Sequence, residues 1–368
     1  MSKEVLLIFG TRPEAIKLAP LIMLLKKNAN FNISICVSSQ HVELLNQVLD
    51  FFGIEPTYNL NIMTKNQSLF DITTKCLDNL KNVIKKCQPQ LIIVQGDTTT
   101  AFAGALAGFY ERIPVAHIEA GLRTLDRNNP YPEEVNRKLI AQLATYHFAP
   151  TESNKNDLIQ EGIDKNIWVV GNTVIDALNH TLKIVKNGFR PPFEIKKEKN
   201  SKLILVTGHR RESVGEPFTN LCNQLSEIAT HNKSIQILFS LHLNPQLQEI
   251  AKNKLSSITN ISLINPQTYP NFIWMMSKSD LIITDSGGIQ EEAPYLGVPV
   301  IITRKETERK ETITHSNTLI DLKTNSIIPT VKKILAKSND ITSPQDQHKP
   351  YGNGDSAKKI IAILESEI

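Results

Sequence analysis

Asp285-Ser286-Gly287-Gly288-Ile289-Gln290 stands between an apolar run, Leu281–Thr284, and an acidic pair, Glu291-Glu292. This order predicts a buried β-strand that turns through two glycines directly into a helix. The first turn of a helix carries unpaired N–H groups and a partial positive charge, and glycine lets an anion approach the backbone closely. The alternative is a small-residue turn in which Ser286 only caps the helix. The stretch predicts an α/β fold and, at this turn, an anion-binding site.

Two other predicted strand ends carry glycine followed by charged side chains, at residues 9–14 and 206–211. Along the whole chain, short β-branched runs alternate with amphipathic segments, which is typical of parallel sheets with helical crossovers. The predicted strands are residues 5–9, 33–38, 91–95, 115–118, 147–149 and 167–170, then 203–207, 235–241, 261–264, 281–284 and 300–303. The sequence predicts two similar α/β units.

The chain of 368 residues is too long for one ordinary core, so two domains are expected. A helix is predicted at 174–185, and the polar stretch 188–201 with adjacent prolines reads as a surface connection. We therefore expect an N-terminal domain at residues 1–170 and a second domain at 171–354. A final helix, about 355–368, is expected to pack back on the first domain.

Composition excludes several functional classes. The 41 Lys and Arg are mixed with 37 Asp and Glu, and no basic stripe is interleaved with aromatics, so a nucleic-acid partner is not expected. No stretch approaches 18 apolar residues and no signal-peptide pattern opens the chain, so neither a membrane span nor secretion is expected. The four cysteines lie far apart without zinc-ligand spacing. Cytoplasm is the expected location.

Three carboxylates follow or flank predicted strand ends, where ligands of open α/β sheets bind. Asp97 follows residues 91–95, and its alternative role is to cap the next helix. Glu119 follows residues 115–118, and its alternative is an ion pair with Arg123. Glu133 stands just after Pro132, where an acidic residue is favoured by the helix dipole alone. Together they are candidates for acid–base chemistry.

Three cationic or titratable groups complete the predicted set. Arg12 and Lys17 flank a predicted helix start and could reach a phosphate or sugar oxygen, unless they are merely solvated. His209 lies between a glycine at a strand end and two arginines. Because the arginines favour the neutral imidazole, His209 is expected to titrate near working pH. Walker A, G-x-G-x-x-G and H-E-x-x-H patterns are all absent. We therefore expect no metal and no nicotinamide cofactor.

Five segments in register resemble the bacterial non-hydrolysing UDP-N-acetylglucosamine (UDP-GlcNAc) 2-epimerases. They read FGTRPEAIK at 9–17, GDTTT at 96–100, HIEAGLR at 117–123, VTGHRRES at 206–213 and TDSGGIQEEAP at 284–294, with PYGNG at 350–354 after them. The resemblance implies two Rossmann-like, doubly wound domains in the GT-B arrangement, with the active site in the interdomain cleft. It implies a homodimer that converts UDP-GlcNAc to UDP-ManNAc without cofactor, through UDP and 2-acetamidoglucal, to supply cell-surface polysaccharide synthesis.

The resemblance also implies the roles of individual residues. Asp97, Glu119, Glu133 and His209 would be catalytic, with the order in which the carboxylates act left open. Substrate would be bound by Arg12, Lys17, Asp97, Glu119, His209, Gln267, Phe272, Ser286, Gly287, Gly288, Glu292 and Arg309. A second, activating UDP-GlcNAc would contact Gln40, His41, Gln47, Arg210 and His242, although Asn66 stands where an arginine is common.

Three other functions remain open at this stage. A hydrolysing 2-epimerase would release free ManNAc and UDP, and it shares many of these motifs. A GT-B glycosyltransferase would use the same UDP site with an acceptor groove. A catalytically inactive nucleotide-sugar sensor would keep the scaffold without needing the carboxylates.

Overall fold

The structure is a computed structural model, which describes residues 2–39, 42–64, 67–192, 201–208, 215–313, 317–336 and 349–368. The chain divides into two compact units. Unit 1 contains Met1–His180 and Tyr351–Ile368, and unit 2 contains Thr181–Pro350. Each unit is built on its own parallel sheet.

Within the described residues, unit 1 has a sheet of seven parallel strands in the order β3-β2-β1-β4-β5-β6-β7. The strands are β1 Lys3–Phe9, β2 Phe31–Val37, β3 Tyr58–Asn59, β4 Leu91–Gln95, β5 Val115–Ile118, β6 Tyr146–Ala149 and β7 Ile167–Val169. The helices are α1 Arg12–Leu25, α2 Val42–Phe52, α3 Leu69–Cys87, α4 Thr99–Tyr110, α5 Glu133–Leu143, α6 Glu152–Gln160, α7 Thr173–Lys186 and the C-terminal α13 Ser356–Glu367. The central strands β1 and β4 are mostly apolar, and apart from Lys3 and Glu4 they are buried, as expected for a parallel sheet whose two faces are covered by helices.

Unit 2, in its described part, has six parallel strands in the order β10-β9-β8-β11-β12-β13. The strands are β8 Lys202–Gly208, β9 Ile235–Leu241, β10 Ile261–Ile264, β11 Leu281–Thr284, β12 Val300–Ile302 and β13 Asn317–Leu319. The helices are α8 Glu216–His231, α9 Pro245–Leu255, α10 Tyr269–Lys278, α11 Gly287–Glu292 and α12 Ile328–Ala336. Both sheets are doubly wound, and all eleven predicted strands are present with small shifts of their ends.

The strand order reverses once in each sheet. In unit 1 the reversal lies between β1 and β4, and in unit 2 between β8 and β11. Ligands of doubly wound sheets bind beyond the carboxyl ends of the strands at such a reversal. Arg12, Asp97 and Ser286 follow three of these four strands, at the positions that the sequence motifs indicated, whereas His209, which follows β8 in the sequence, lies outside the described residues.

Unit 1 ends inside α7, later than the predicted domain boundary after residue 170. The reason lies in the first turns of α7, which bind the C-terminal segment. Asp176 accepts hydrogen bonds from the N–H groups of Ser356 and Ala357, at 3.2 and 3.0 Å. Gly171 has a φ of +90°, and a Cβ there would lie 2.6 Å from the carbonyl oxygen of Tyr351. Residues 171–180 therefore belong with the N-terminal unit, as does α13.

No helix in the described ranges combines the length and the apolar character that crossing a bilayer requires. All four cysteines are free thiols.

Candidate active site

The turn after β1 places Arg12 at the start of a helix. Thr11 is the N-cap of α1, and it forms a reciprocal capping box with Glu14. One oxygen of Glu14, Oε2, accepts the N–H groups of Gly10 and Thr11 at 3.0 and 2.8 Å. Its other oxygen accepts the hydroxyl of Thr98 at 2.7 Å. Glu14 thus ties the turn that carries Arg12 to the turn that follows β4.

Glu119 follows β5 in a left-handed conformation, with a φ of +66°, and is buried. Its Oε1 accepts hydrogen bonds from the ammonium of Lys17 and, at 3.1 Å, from the amide of Asn172. Its Oε2 accepts from the amide of Gln95. Both oxygens are therefore oriented, and Lys17 is fixed beside them. The sequence had selected Glu119 and Lys17 but not the two amides, which belong to no motif.

The alternative interpretation of Glu119, an ion pair with Arg123, is wrong. Arg123 is buried and donates two hydrogen bonds to Glu161, at 2.9 and 2.6 Å. Because Glu161 is the C-cap of α6, this pair is a structural link between the segment after β5 and α6.

Asp97 follows β4 and is held by α5. Arg137 donates to its Oδ2 through Nε at 2.9 Å and Nη2 at 2.7 Å. The amide of Asn136 donates to its main-chain oxygen at 2.9 Å. The alternative role as a helix cap is wrong, since Thr98 is the N-cap of α4 and accepts the N–H of Ala101 at 3.0 Å. The side chain of Asp97 remains 26% exposed.

Glu133 begins α5 and is half-buried, whereas its neighbour Glu134 is completely buried. Glu134 accepts the N–H groups of Thr124 and Leu125 at 3.0 and 3.2 Å, and it also pairs with Arg137. Residues four apart lie on one face of a helix, so Glu133 shares the face from which Arg137 holds Asp97. The structure thereby brings Asp97 and Glu133 to one region.

His117 was not selected from the sequence, because a single histidine inside a buried strand matches no catalytic motif. It lies on β5 with Nε2 2.7 Å from the carbonyl oxygen of Gly96. Burial lowers the pKa of His117 to about 4, so the ring is neutral at pH 7 and Nε2–H donates to the carbonyl. His117 therefore holds the Gly96 turn, which has a φ of +69° and leads into Asp97.

In unit 2, the turn after β11 presents glycine to an arginine side chain. Ser286 is the N-cap of α11, and a Cβ on Gly287 would lie 2.6 Å from Cζ of Arg309. Arg309 is buried and binds Glu291 at 2.6 Å and also Glu308. At Gly288 a Cβ would meet nothing within 4 Å. A guanidinium is thus held against the helix start that the sequence had predicted to bind an anion.

Glu292, at the end of α11, is buried and accepts the hydroxyl of Tyr269 at 2.6 Å. Burial and the adjacent carboxylate raise the pKa of Tyr269 well above its usual value, so the phenol remains the donor. Gln267 and Phe272 are half-buried at the start of α10, and Gln267 accepts the amide of Asn271 at 3.2 Å. Gln267 and Phe272 thus lie in the segment that follows β10, and Tyr269 of the same segment contacts the helix that follows β11.

Several predicted residues lie outside the described part of the chain: Gln40, His41, Asn66, His209 and Arg210. Of the remaining residues in the predicted activator site, Gln47 is exposed on α2 and His242 is exposed after β9, in different units. Their grouping stays a prediction. In the described ranges, no three His, Cys, Asp or Glu side chains are grouped as metal ligands.

Comparisons with a family model and with curated proteins identify the same family. A family model described as UDP-N-acetylglucosamine 2-epimerase matches residues 23–365. The chain is 47% identical over 370 residues to the UDP-N-acetylglucosamine 2-epimerase of Salmonella typhimurium, covering 99% of this chain and 98% of that protein.

Solved structures agree with this result. The structure resembles UDP-GlcNAc 2-epimerase from Neisseria meningitidis bound to UDP-GlcNAc, with a TM-score of 0.92 at 43% identity, over 99% of this chain and 100% of that chain. A structure from S. aureus with UDP has a TM-score of 0.91 at 37% identity, over 99% and 96% of the two chains. These similarities confirm the predicted α/β fold class of the GT-B type.

Proposed function

The chain belongs to the UDP-N-acetylglucosamine 2-epimerase family, and from that premise we propose that it interconverts UDP-GlcNAc and UDP-ManNAc without releasing free sugar. The observation that carries the proposal is the arrangement in unit 1. Arg137 of α5 holds Asp97, Glu133 begins the same helix, and Lys17 of α1 is paired with Glu119. This is an acid–base set at the reversal point of the sheet.

The chemistry of the reaction requires such a set. The proton on C2 of the sugar is weakly acidic, so its removal must accompany cleavage of the bond between C1 and the UDP oxygen. A carboxylate takes the C2 proton, the C–H electrons form the C1–C2 double bond, and UDP leaves with the C1–O electrons. UDP then adds back to 2-acetamidoglucal while a proton returns to C2 from the other face. Asp97 and Glu133 are suited to these proton transfers, because both oxygens of Glu119 already accept hydrogen bonds.

The leaving group needs positive charge and N–H donors. Arg309 lies against Gly287, beside the N-terminus of α11, and Arg12 begins α1. Each such contact stabilises developing charge by about 3 kcal/mol in a water-excluded site. Glu292 offers a carboxylate for the ribose hydroxyls, and Phe272 offers an aromatic face for the uracil. His209 remains a predicted member of this set.

We propose that the protein acts as a homodimer, without cofactor, and that its product supplies ManNAc units for cell-surface polysaccharide. Support for the dimer comes from three neighbouring helices of unit 1. α3, α4 and α5 leave Phe70, Phe109, Tyr110 and Leu139 exposed. Large apolar side chains exposed on adjacent helices are typical of a protein interface.

The test is proton NMR of the purified protein with UDP-GlcNAc in deuterated water, without added NAD or metal. We expect UDP-ManNAc to form with deuterium at C2. Free ManNAc with UDP would instead identify a hydrolysing epimerase. Unchanged substrate that still binds would contradict epimerisation and point to a transferase without its acceptor, or to a sensor.

A further inference from the structure

Arg137 is a buried cation that contacts one of the proposed acid–base carboxylates. Its side chain is 5% exposed, against 26% for Asp97. Nε and Nη2 both bind Oδ2 of Asp97, while Nη1 binds Oε2 of Glu134 at 2.9 Å. A guanidinium is planar and carries its N–H groups in a fixed fork, so it sets the orientation of a carboxylate as well as its position.

The two oxygens of Asp97 are therefore not equivalent. Oδ2 has two donors on Arg137, whereas within the described residues Oδ1 accepts no hydrogen bond. Asn136 also holds the main-chain oxygen of Asp97, so the backbone of this turn is fixed from the same helix. If the carboxylate of Asp97 rotated by half a turn, its two oxygens would exchange places but the donors on Arg137 would not move. One oxygen would therefore still be bound by Arg137, and the other would still be available to the substrate.

Resting on the proposed function, we propose that Arg137 is a positioning residue of the epimerisation, which holds Oδ2 of Asp97 so that Oδ1 exchanges the proton with C2. In the elimination, the C2–H bond breaks, its electrons form the C1–C2 double bond, UDP leaves, and the proton passes to the accepting carboxylate. Whether Asp97 accepts this proton or returns one in the addition, the oxygen involved is Oδ1.

A purely structural role for Arg137 is the competing explanation. Glu134 is completely buried and organises the loop at Thr124 and Leu125, so Arg137 also neutralises a charge that folding requires. The two roles predict different kinetics. Loss of structure lowers the amount of active enzyme, whereas loss of positioning slows the step at C2 itself.

Arg137→Lys separates these roles, because lysine keeps the charge near Glu134 but has a single nitrogen in place of the fork. We expect kcat to fall about 100-fold, as for a reacting group misplaced by an ångström, while KM for UDP-GlcNAc changes about threefold or less. The primary isotope effect with UDP-GlcNAc deuterated at C2 should increase, since proton transfer becomes more strongly rate-limiting. An unchanged isotope effect would overturn the proposal.

Arg123→Lys is the matched control. Arg123 is equally buried and binds the two oxygens of Glu161, but it does not pair with Asp97, Glu119 or Glu133. We expect this variant to lose thermal stability while keeping the wild-type isotope effect and kcat. Equal kinetic losses in both arginine variants would contradict a specific role for Arg137.

A second pair of variants keeps the test decisive if Arg137→Lys does not fold. Glu134→Gln removes the buried charge, so Arg137→Met in that background leaves no unpaired carboxylate at residue 134. The double variant should show the lower kcat and the larger isotope effect, and Glu134→Gln alone should not. Deuterium incorporation by the wild type is measured first. Its absence contradicts the proposed function, whereas a normal wild type with unaffected Arg137 variants contradicts only the role of Arg137.

Discussion

Glu14 is a buried carboxyl group that accepts hydrogen bonds from two backbone N–H groups and one hydroxyl. Burial raises the pKa of Glu14 to about 7 from an ordinary value of 4.5, although these hydrogen bonds act in the opposite direction. The folded state thus binds this proton more tightly than the unfolded state between pH 4.5 and pH 7. The stability contributed by the protonated group is complete below pH 4.5 and is lost as the pH rises through 7.

Glu14→Gln should become more stable relative to the wild type as the pH rises. Glutamine keeps a carbonyl acceptor for the N–H groups of the capping box and does not titrate. Relative to the wild type, the variant should gain up to about 3 kcal/mol of unfolding free energy between pH 5 and pH 8. Denaturant unfolding of both proteins at the two pH values measures this. Asp71→Asn is the control, because hydrogen bonds from Ser68 lower the pKa of Asp71 and the group stays ionised at both. The same change for both variants would contradict the assignment to Glu14.

At the residue scale, the sequence predicts candidate site residues where a charged side chain follows a strand or begins a helix. Asp97, Glu119 and Glu133 could be selected because each is a carboxylate at a strand end or helix start. Apart from Lys17, the residues that hold them could not be selected. Asn172 and Arg137 lie 53 and 40 residues from the carboxylates they bind, and only the fold brings them together.

At the element scale, the short helix α11 matters through the packing of its first residue. Gly287→Ala would place a Cβ 2.6 Å from Cζ of Arg309, whose guanidinium is also fixed by Glu291 and Glu308. Because these buried partners limit movement, we expect the variant to lose about 1–3 kcal/mol of stability. Its affinity for UDP should also fall, since Arg309 is displaced. Thermal unfolding and UDP titration calorimetry measure the two effects.

Gly288→Ala is the steric control for this helix start. A Cβ at residue 288 meets nothing within 4 Å in the protein, so unliganded stability should remain close to wild type. It is expected to weaken UDP binding only through contact with the ligand. Equal unfolding temperatures of the two variants without ligand would contradict the prediction that a Cβ at residue 287 destabilises the protein by displacing Arg309.

Secondary structure was predictable wherever an element is buried on both faces. The apolar runs of β4 and β11 are continuous, so their positions could be read directly. Two edge strands, Tyr58–Asn59 and Asn317–Leu319, were not predicted. They contain two and three residues, which is too few for any periodicity to show, and their pairing depends on neighbours distant in sequence.

At the scale of the whole molecule, the C-terminal segment completes the N-terminal unit. Tyr351, Ile360 and Leu364 are fully buried, and Glu365 accepts the amides of Asn28 and Asn30 at 2.9 and 2.8 Å. The chain therefore leaves unit 1 at α7 and returns to it after unit 2. This return explains why a boundary drawn from composition falls too early: residues 171–180 have their partners at the far end of the chain.

Oligomeric state is the remaining property of the whole molecule, and it depends on the exposed face of unit 1. Phe70, Phe109 and Tyr110 are 86%, 58% and 67% exposed on the neighbouring helices α3 and α4. If this face joins two copies, Phe109→Glu places a charge on each side of the interface and should convert the dimer to monomers. Sedimentation equilibrium measures the mass. Ile159→Glu, at a 45% exposed position on α6, should remain dimeric. A dimer that persists in Phe109→Glu, or one lost equally in both variants, would place the contact on another surface.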